Sequence, residues 1–287
     1  MSTCYQPVKL RYNTVPCGKC LACLEDRQRD WYFRNYLEFY YNSVSAFFVT
    51  VTYEDSHLPM IGCVKLKKDI PALDYGEVTR LIKKVRLKLP KFRYFAVSEY
   101  SPVGRPHYHF LIYFNEVVAL QSVINAFTLS WTVPYTANRQ PEPLGIVQVE
   151  LMTSGRICYV TQYLLVKSFN ETYDFLDPLL QPKSWMSRRP GIGDLAIFGN
   201  PRAQKITTYF KEHPFENTMY FPDGSPIDMP RYFEGKIFSA TLLRIRRAIN
   251  RAKSVDRPEL SKTFLNTLRL EKTQEYKFKS YRRKNDV

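Results

Sequence analysis

Of the four histidines in this 287-residue chain, two, His107 and His109, stand one residue apart in the stretch SEYSPVGRPHYHFLIYF. In a β-strand alternate side chains share a face and lie about 6–7 Å apart, so two imidazoles at this spacing reach one metal ion. The preceding segment, RYFAVSEYS, reads as a second strand joined to PHYHFLIYF by turn residues Ser101 to Gly104. That hairpin brings Glu99 across from the histidines as an oxygen ligand. Two histidines and one carboxylate on a rigid sheet leave coordination positions open, which suits a catalytic Mg²⁺ or Mn²⁺ bridging to a phosphate. An H-x-H pair alone is a modest signal, and the acidic residue on the neighbouring strand strengthens it.

A second constellation lies in YVTQYLLVK, where Tyr159, Tyr163 and Lys167 are spaced four apart. On a helix, positions i, i+4 and i+8 share a face, so two phenols and an ammonium line up along one side. A phenol with its ordinary pKa near 10 attacks a phosphodiester at neutral pH only where a cation or base favours the phenolate. The chain has 21 tyrosines, and Tyr32, Tyr36 and Tyr40 repeat the same spacing. Only the Tyr159 set follows the expected sheet closely enough to lay its phenols over the histidine face.

Cys4, Cys17, Cys20 and Cys23 cluster in CYQPVKLRYNTVPCGKCLACLEDR, with Gly18 at the tight turn that a C-x-x-C knuckle needs. The two-residue spacings suit tetrahedral structural Zn²⁺, and Cys4 closes the shell. An iron–sulfur cluster uses similar spacings, but the following C-P of the ferredoxin run is missing; unmetallated thiols are the other alternative. Cys63 and Cys158 are isolated and read as small core residues.

The elements that must position these groups follow from periodicity. A helix is expected from about Leu24 to Tyr41, then a strand in SAFFVTVTYED, an amphipathic helix in DYGEVTRLIKKVRLKL, and the hairpin above. A helix from roughly Val117 to Trp131, the alternating strand GIVQVELM and the helix GRICYVTQYLLVKS complete the series. The order β-α-β-β-α-β predicts an α+β fold, a ferredoxin-like or RRM-like antiparallel sheet with helices packed on one face. Its first and third strands are central, so the histidines stand mid-sheet. Tyr108 and Phe110 point beneath the helices, and the histidine face is expected to be open. The expected organisation is a Cys-rich segment and helix over 1–43, a catalytic domain over 44–170, and a basic extension over 171–287 that is mostly helical after about 232.

In that extension HPFENTMYFPDGSPIDMPRYF reads as an irregular connection containing a lone His213, and GKIFSATLLRIRRAINRAKS as one helix. Arg244, Arg246, Arg247 and Arg251 on that helix face either solvent or a DNA backbone. His57, beside Asp55, is a motif residue or part of a simple turn. Candidate DNA contacts elsewhere are Arg105, Arg188 and Arg189, the last two in SRRPGIGD.

A formal net charge of +15 attracts polyanions, nucleic acid first. The opening MSTCYQPVKLRYNT lacks the apolar core of a signal peptide, and no apolar run approaches the ~18 residues of a spanning helix, so a cytosolic protein with reduced thiols is expected. There is no Walker-type Gly-rich loop, hence no ATPase or helicase, and unwinding needs a partner.

The histidine pair followed by a Tyr-x-x-x-Tyr helix resembles the HUH endonucleases that initiate rolling-circle replication. More closely, VPCGKCLAC, FFVTVTYEDSHLP, SEYSPVGRPHYHFLIYF, RICYVTQYLLVKS and SRRPGIG, in this order, resemble the replication initiator of microviruses, the gokushovirus-type single-stranded DNA phages. The resemblance covers most of residues 1 to 200. It implies an HUH palm in which His107 and His109 bind the divalent metal, Glu99 is the third ligand, and Tyr159 and Tyr163 are nucleophiles, with Lys167 nearby. It further implies nicking at a single-stranded or replicative double-stranded DNA origin through a 5′-phosphotyrosine, later strand joining, a host helicase and replication machinery as partners, and the bacterial cytoplasm as location. Two alternatives stay open: a zinc-stabilised, non-catalytic module whose sheet aromatics stack single-stranded bases, and an HUH transposase or relaxase. A structural phage protein fits the charge but leaves the His–Tyr arrangement without a purpose.

Overall fold

In the computed structural model, the residues described are 4, 6–11, 14–18, 20–63, 67–101, 104–133, 141–166, 181–201, 204–220 and 226–255. Residues 28–209 form one compact unit, and residues 1–27 with 210–287 form another. The chain starts with a small hairpin, β1 (Val8–Lys9) and β2 (Thr14–Val15), and enters the long helix α1 (Leu21–Asn42). It then runs through β3 (Ser45–Thr52), a hairpin of β4 (Met60–Cys63) and β5 (Lys68–Pro71), α2 (Tyr75–Arg86), β6 (Phe92–Tyr100) and β7 (Pro106–Phe114). After these come α3 (Leu120–Thr128), β8 (Val147–Leu151), α4 (Ser154–Val166), β9 (Ser184–Met186), α5 (Asp194–Gly199) and α6 (Gln204–Glu212). A hairpin of β10 (Thr218–Tyr220) and β11 (Pro226–Asp228) precedes α7 (Arg231–Ile237) and α8 (Ala240–Val255).

Five strands build one antiparallel sheet in the order β8-β3-β7-β6-β9, so the histidine strand β7 is central. The period-2 alternation sorts its residues onto two cores. Phe47, Val49, Val51, Tyr108, Phe110, Ile112 and Phe114 bury one face against Val78, Leu81, Ile82 and Val85 of α2 and Val123, Ala126 and Phe127 of α3. Asp74 caps α2, its carboxylate accepting from Gly76 N–H at 2.7 Å. Ala46, Phe95, Val97, Leu111 and Tyr113 occupy the other face and pack with Ile157, Val160, Tyr163 and Leu164 of α4 and, at the rim, Trp31, Tyr32 and Phe39 of α1.

Helices therefore cover both faces, which corrects the expectation of a one-faced arrangement with an open histidine side. The polar quartet of Glu99, His107, Thr50 and Thr52 suggested exposure, but the same strands carry Phe95, Val97, Leu111 and Tyr113 further along that face. Those side chains must be removed from water, and α1 and α4 do so. The docking of β8 onto β3 needs Gly145. A Cβ there would lie 2.2 Å from the Thr52 carbonyl oxygen and 2.6 Å from the Glu54 nitrogen. The bare backbone permits Thr52 N–H to reach Ile146 O at 3.0 Å and Glu54 N–H to reach Leu144 O at 2.9 Å.

Two corrections concern the C-terminal part. The segment read as irregular contains the β10–β11 pair. The segment read as one helix is two, because Phe238 is extended (φ −107°, ψ 144°) and Ser239 Oγ accepts from Leu242 N–H at 3.3 Å, capping a new start. No helix among the described residues is long and apolar enough to cross a membrane.

Candidate active site

The three central strands set the histidines by register. Thr52 and Glu99 lie opposite His107, and Thr50 and Val97 lie opposite His109. His109 is only 4% exposed. Its Nδ1 lies 2.9 Å from Thr50 Oγ1 and its Nε2 2.9 Å from Glu99 Oε1. An ionised carboxylate only accepts, so Nε2 carries the proton toward Glu99 while Thr50 donates to Nδ1. A hydroxyl serves either tautomer. With the proton on Nδ1, Thr50 accepts instead and Nε2 presents its lone pair, the orienting role a metal-binding histidine needs.

Aromatic rings close the rest of the imidazole. Phe48 stacks on one side (5.7 Å between centroids, 15°) and Tyr163 also lies parallel to the ring (5.1 Å, 7°). Tyr159 meets His109 edge-on at 5.6 Å and 78°, and Tyr163 at 4.9 Å and 83°. Helix α4 delivers both phenols because Ile157, Val160 and Leu164 bury its inner side. Its first turn is fastened to β8: Arg156 pairs with Glu150 at 2.6 Å and donates to Leu151 O at 2.5 Å.

The Tyr163 hydroxyl is buried and makes no hydrogen bond of ordinary geometry. Burial pushes the phenol of Tyr163 far above its ordinary value, and that of Tyr159 upward as well, with the negative charge of Glu99 adding to both. As folded, the site therefore keeps two neutral phenols against a histidine–carboxylate pair.

The donor set was tested against the metals it suggests. The 2.9 Å between His109 Nε2 and Glu99 Oε1 is close to the ~3.0 Å that separates adjacent ligands about 2.1 Å from an octahedral ion. The cysteines fit a different ion. The sulfurs of Cys4, Cys17, Cys20 and Cys23 all lie within 4.8 Å of one another, with Cys20 3.8 Å from Cys4 and 3.4 Å from Cys23. Four thiolates ~2.3 Å from a tetrahedral ion would be about 3.8 Å apart. Cys17 N–H donates to Cys4 Sγ at 3.2 Å and Cys20 N–H to Cys17 Sγ at 3.3 Å, and Gly18 takes the left-handed φ of 72° that folds the knuckle. Burial raises the thiol pKa of Cys4 and Cys23. The four thiols thus form a cluster suited to a metal such as zinc.

Other sequence-derived candidates meet different fates. Lys167 lies outside the described residues. Arg105 donates to Tyr53 O at 2.7 Å and pairs with Asp55. Arg188 and Arg189 are exposed in the turn before the cis Arg189–Pro190 bond. The rest of SRRPGIG is anchored from within: Arg93 donates to Pro190 O (3.0 Å) and Gly191 O (2.7 Å), Arg34 to Ile192 O (3.0 Å), and Gly193 N–H to Glu38 (2.6 Å).

Arg246 is 2% exposed and holds Glu216 O, Asn217 and Glu234, which removes it from the solvent-or-DNA face; Arg244 and Arg247 are exposed, and Arg251 is outside the described side chains. His57 lies 3.0 Å from Ser56 Oγ and 3.6 Å from Glu142, and His213 lies 3.8 Å from Glu216. Sequence reasoning missed Phe48 and Thr50. Their signal was available, because they alternate with the apolar Phe47, Val49 and Val51 in SAFFVTVT.

Residues 46–168, which contain the histidines, Glu99 and both α4 tyrosines, match the family model for replication-associated proteins of the ORF2 type. The chain is also 33% identical over 109 residues to the replication-associated protein ORF2 of Spiroplasma virus 4. That match covers 36% of this chain and 32% of the relative, so the chain spans about a third of the length of the curated relative it matches. No solved structure matches.

Proposed function

We propose that this protein initiates rolling-circle DNA replication by nicking single-stranded DNA, or a melted replicative origin, through a tyrosine on α4. The observation that carries the reading is the packing of Tyr159 and Tyr163 on His109 while Glu99 bonds that imidazole, inside the segment matching the replication-associated family. The strand order β8-β3-β7-β6 is fourth–first–third–second, the order of a ferredoxin-like sheet, and supports an HUH palm within residues 44–170.

His107, His109 and Glu99 would hold a Mg²⁺ or Mn²⁺ ion, and Cys4, Cys17, Cys20 and Cys23 a structural Zn²⁺. The divalent ion, when bound, supplies polarisation of a non-bridging phosphate oxygen and favours phenolate over phenol. In the chain's own part of the chemistry, a tyrosine Oη gives up its proton and bonds to phosphorus. The P–O3′ bond breaks and the 3′ oxygen takes up a proton, which leaves a 5′-phosphotyrosine. One phosphoester replaces another, so attack by a 3′-hydroxyl reverses the step and joins strands without ATP. Two phenols on one helix face allow one to hold an end while the other cuts again, and Lys167 would assist their ionisation.

The sheet holds the strand in line, and Thr50 and Phe48 fix the imidazole. Burial of both phenols means that substrate entry must open the layer between α4 and the sheet. Host helicase and replication machinery in the bacterial cytoplasm would complete the system. The test is cleavage of labelled single-stranded oligonucleotides with Mn²⁺ or EDTA, using wild type and His109→Ala. Cleavage that needs the ion and is lost in the variant is expected. Binding without cleavage on any sequence of a random pool would replace this reading with the non-catalytic binding module.

A further inference from the structure

The sheet face opposite the tyrosines carries a basic and aromatic strip along its β9 edge. Lys183 Nζ stands 3.9 Å from the Tyr75 ring centre, and Tyr75 meets Trp185 at 5.8 Å. Arg86 lies over the rings of Tyr94 (5.7 Å) and Phe92 (5.8 Å). The Tyr94 and Trp185 side chains share a face, since Trp185 pairs with Ala96 and Ser187 N–H bonds Tyr94 O at 2.9 Å. Arg188 follows at the end of the strip, close enough for its charge, with that of Arg86, to bear on the Tyr94 phenol.

Tyr75, Tyr94 and Trp185 are half-buried at the rim of the α2–α3 core, and Arg86 and Arg188 are exposed. Among the described residues, no carboxylate forms an ion pair with Lys183, Arg86 or Arg188, whereas Arg80 on the same helix is paired with Asp74 and Glu77. The four residues from Lys183 to Ser187 span about 13 Å of extended chain. Cations without acidic partners, alternating with π faces, suit a polyanion that also carries flat rings. A single-stranded nucleic acid has both properties, because phosphates take the charges and unpaired bases stack on exposed aromatics.

We infer that Lys183, Trp185, Tyr94, Arg86 and Arg188 form a track for single-stranded DNA on the face of the sheet away from Tyr159 and Tyr163. The track holds a stretch of strand remote from the cut. It does not depend on the nicking chemistry, since it requires neither metal nor tyrosine nucleophile.

The test measures binding of fluorescent oligothymidylate to the full chain across a salt series, for wild type, a Lys183→Gln/Arg86→Gln/Arg188→Gln triple variant, and Trp185→Leu. In the triple variant, the slope of log K against log salt becomes shallower by about 2, since each lost single-strand phosphate contact removes roughly 0.7. Trp185→Leu weakens binding about fivefold or more, and wild-type tryptophan fluorescence responds to oligothymidylate but not to heparin, a polyanion without bases. Unchanged slope and affinity in the triple variant, whose substitutions are at charged positions and leave the core intact, would overturn the track. A heparin response equal to that of DNA would reduce it to a general polyanion surface and overturn the stacking role. If no oligonucleotide is ever cleaved but the triple variant still loses its slope, the nicking reading fails and the track stands.

Discussion

Glu38 offers a demanding check on how the fold is held. Its carboxylate is fully buried and accepts from four donors: Arg93 Nε (2.5 Å) and Asn42 Nδ2 (2.6 Å) on Oε1, and Gly193 N–H (2.6 Å) and Arg93 Nη2 (3.4 Å) on Oε2. Glutamine has the same shape, but one oxygen becomes an NH₂ group. Whichever way the amide turns, that group faces two donors, and Arg93 loses its counter-charge. Breaking a buried pair by removing one partner costs about 3–5 kcal/mol. The hydrogen bonds point the same way, since two buried donors left unpaired cost about 2–6 kcal/mol in total. For a unit of 150–250 residues, each kcal/mol moves the melting temperature about 2–4 °C, so Glu38→Gln should lower it by about 6–20 °C. Thermal unfolding followed by circular dichroism measures this. Hydrogen exchange should quicken at Gly191 to Gly193, whose loop the network anchors. A double variant, Glu38→Leu with Arg93→Leu, should cost less than the two single changes added together. A melting temperature for Glu38→Gln within about 2 °C of wild type would refute the all-donor description of this site.

Three further outcomes are expected. Gly145→Ala places a methyl against the Thr52 and Glu54 backbone and should destabilise by about 1–3 kcal/mol in urea titration, with no change expected only if β8 does not dock as described. The phenols of Tyr53, Tyr108, Tyr113 and Tyr163 are all held above their ordinary value of 10.0, chiefly by burial. A raised folded pKa contributes stability that is complete below the unfolded value and is lost as pH rises beyond it, so stability should be flat below pH 10 and fall above it. Denaturant midpoints read alongside phenolate absorbance test that sign. Purified protein should carry one zinc per chain by elemental analysis, and Cys20→Ser, which removes the sulfur bonded to both Cys4 and Cys23, should lose it; four freely titrating thiols in untreated protein would contradict the zinc site.

Much of the histidine site was legible because strand parity is a strict rule. Once PHYHFLIYF was read as a strand, His107 and His109 had to share a face with Leu111 and Tyr113, and Glu99 had to lie across the hairpin. Four-residue spacing likewise put Tyr159 and Tyr163 on one side of α4. What escaped was everything set by long-range pairing. The Glu38–Arg93 link joins residues 55 apart, so SRRPGIG looked like a phosphate contact when most of it is a buried anchor. Strand β9 has only three residues, too few for alternation to register. The cover on the histidine face came from α1, whose Trp31, Tyr32 and Phe39 gave no signal of which sheet face they would meet.

The most direct measurement is to trap the protein on a single-stranded oligonucleotide with Mn²⁺, digest with trypsin and map the adduct by tandem mass spectrometry. Cleavage after Arg156 and Lys167 releases Ile157 to Lys167, a peptide that contains both Tyr159 and Tyr163. A nucleotide phosphate on either tyrosine of that peptide, absent with EDTA, is expected. DNA cleavage with the adduct on any other peptide, or with no adduct at all, would contradict the assignment of the nucleophile to α4.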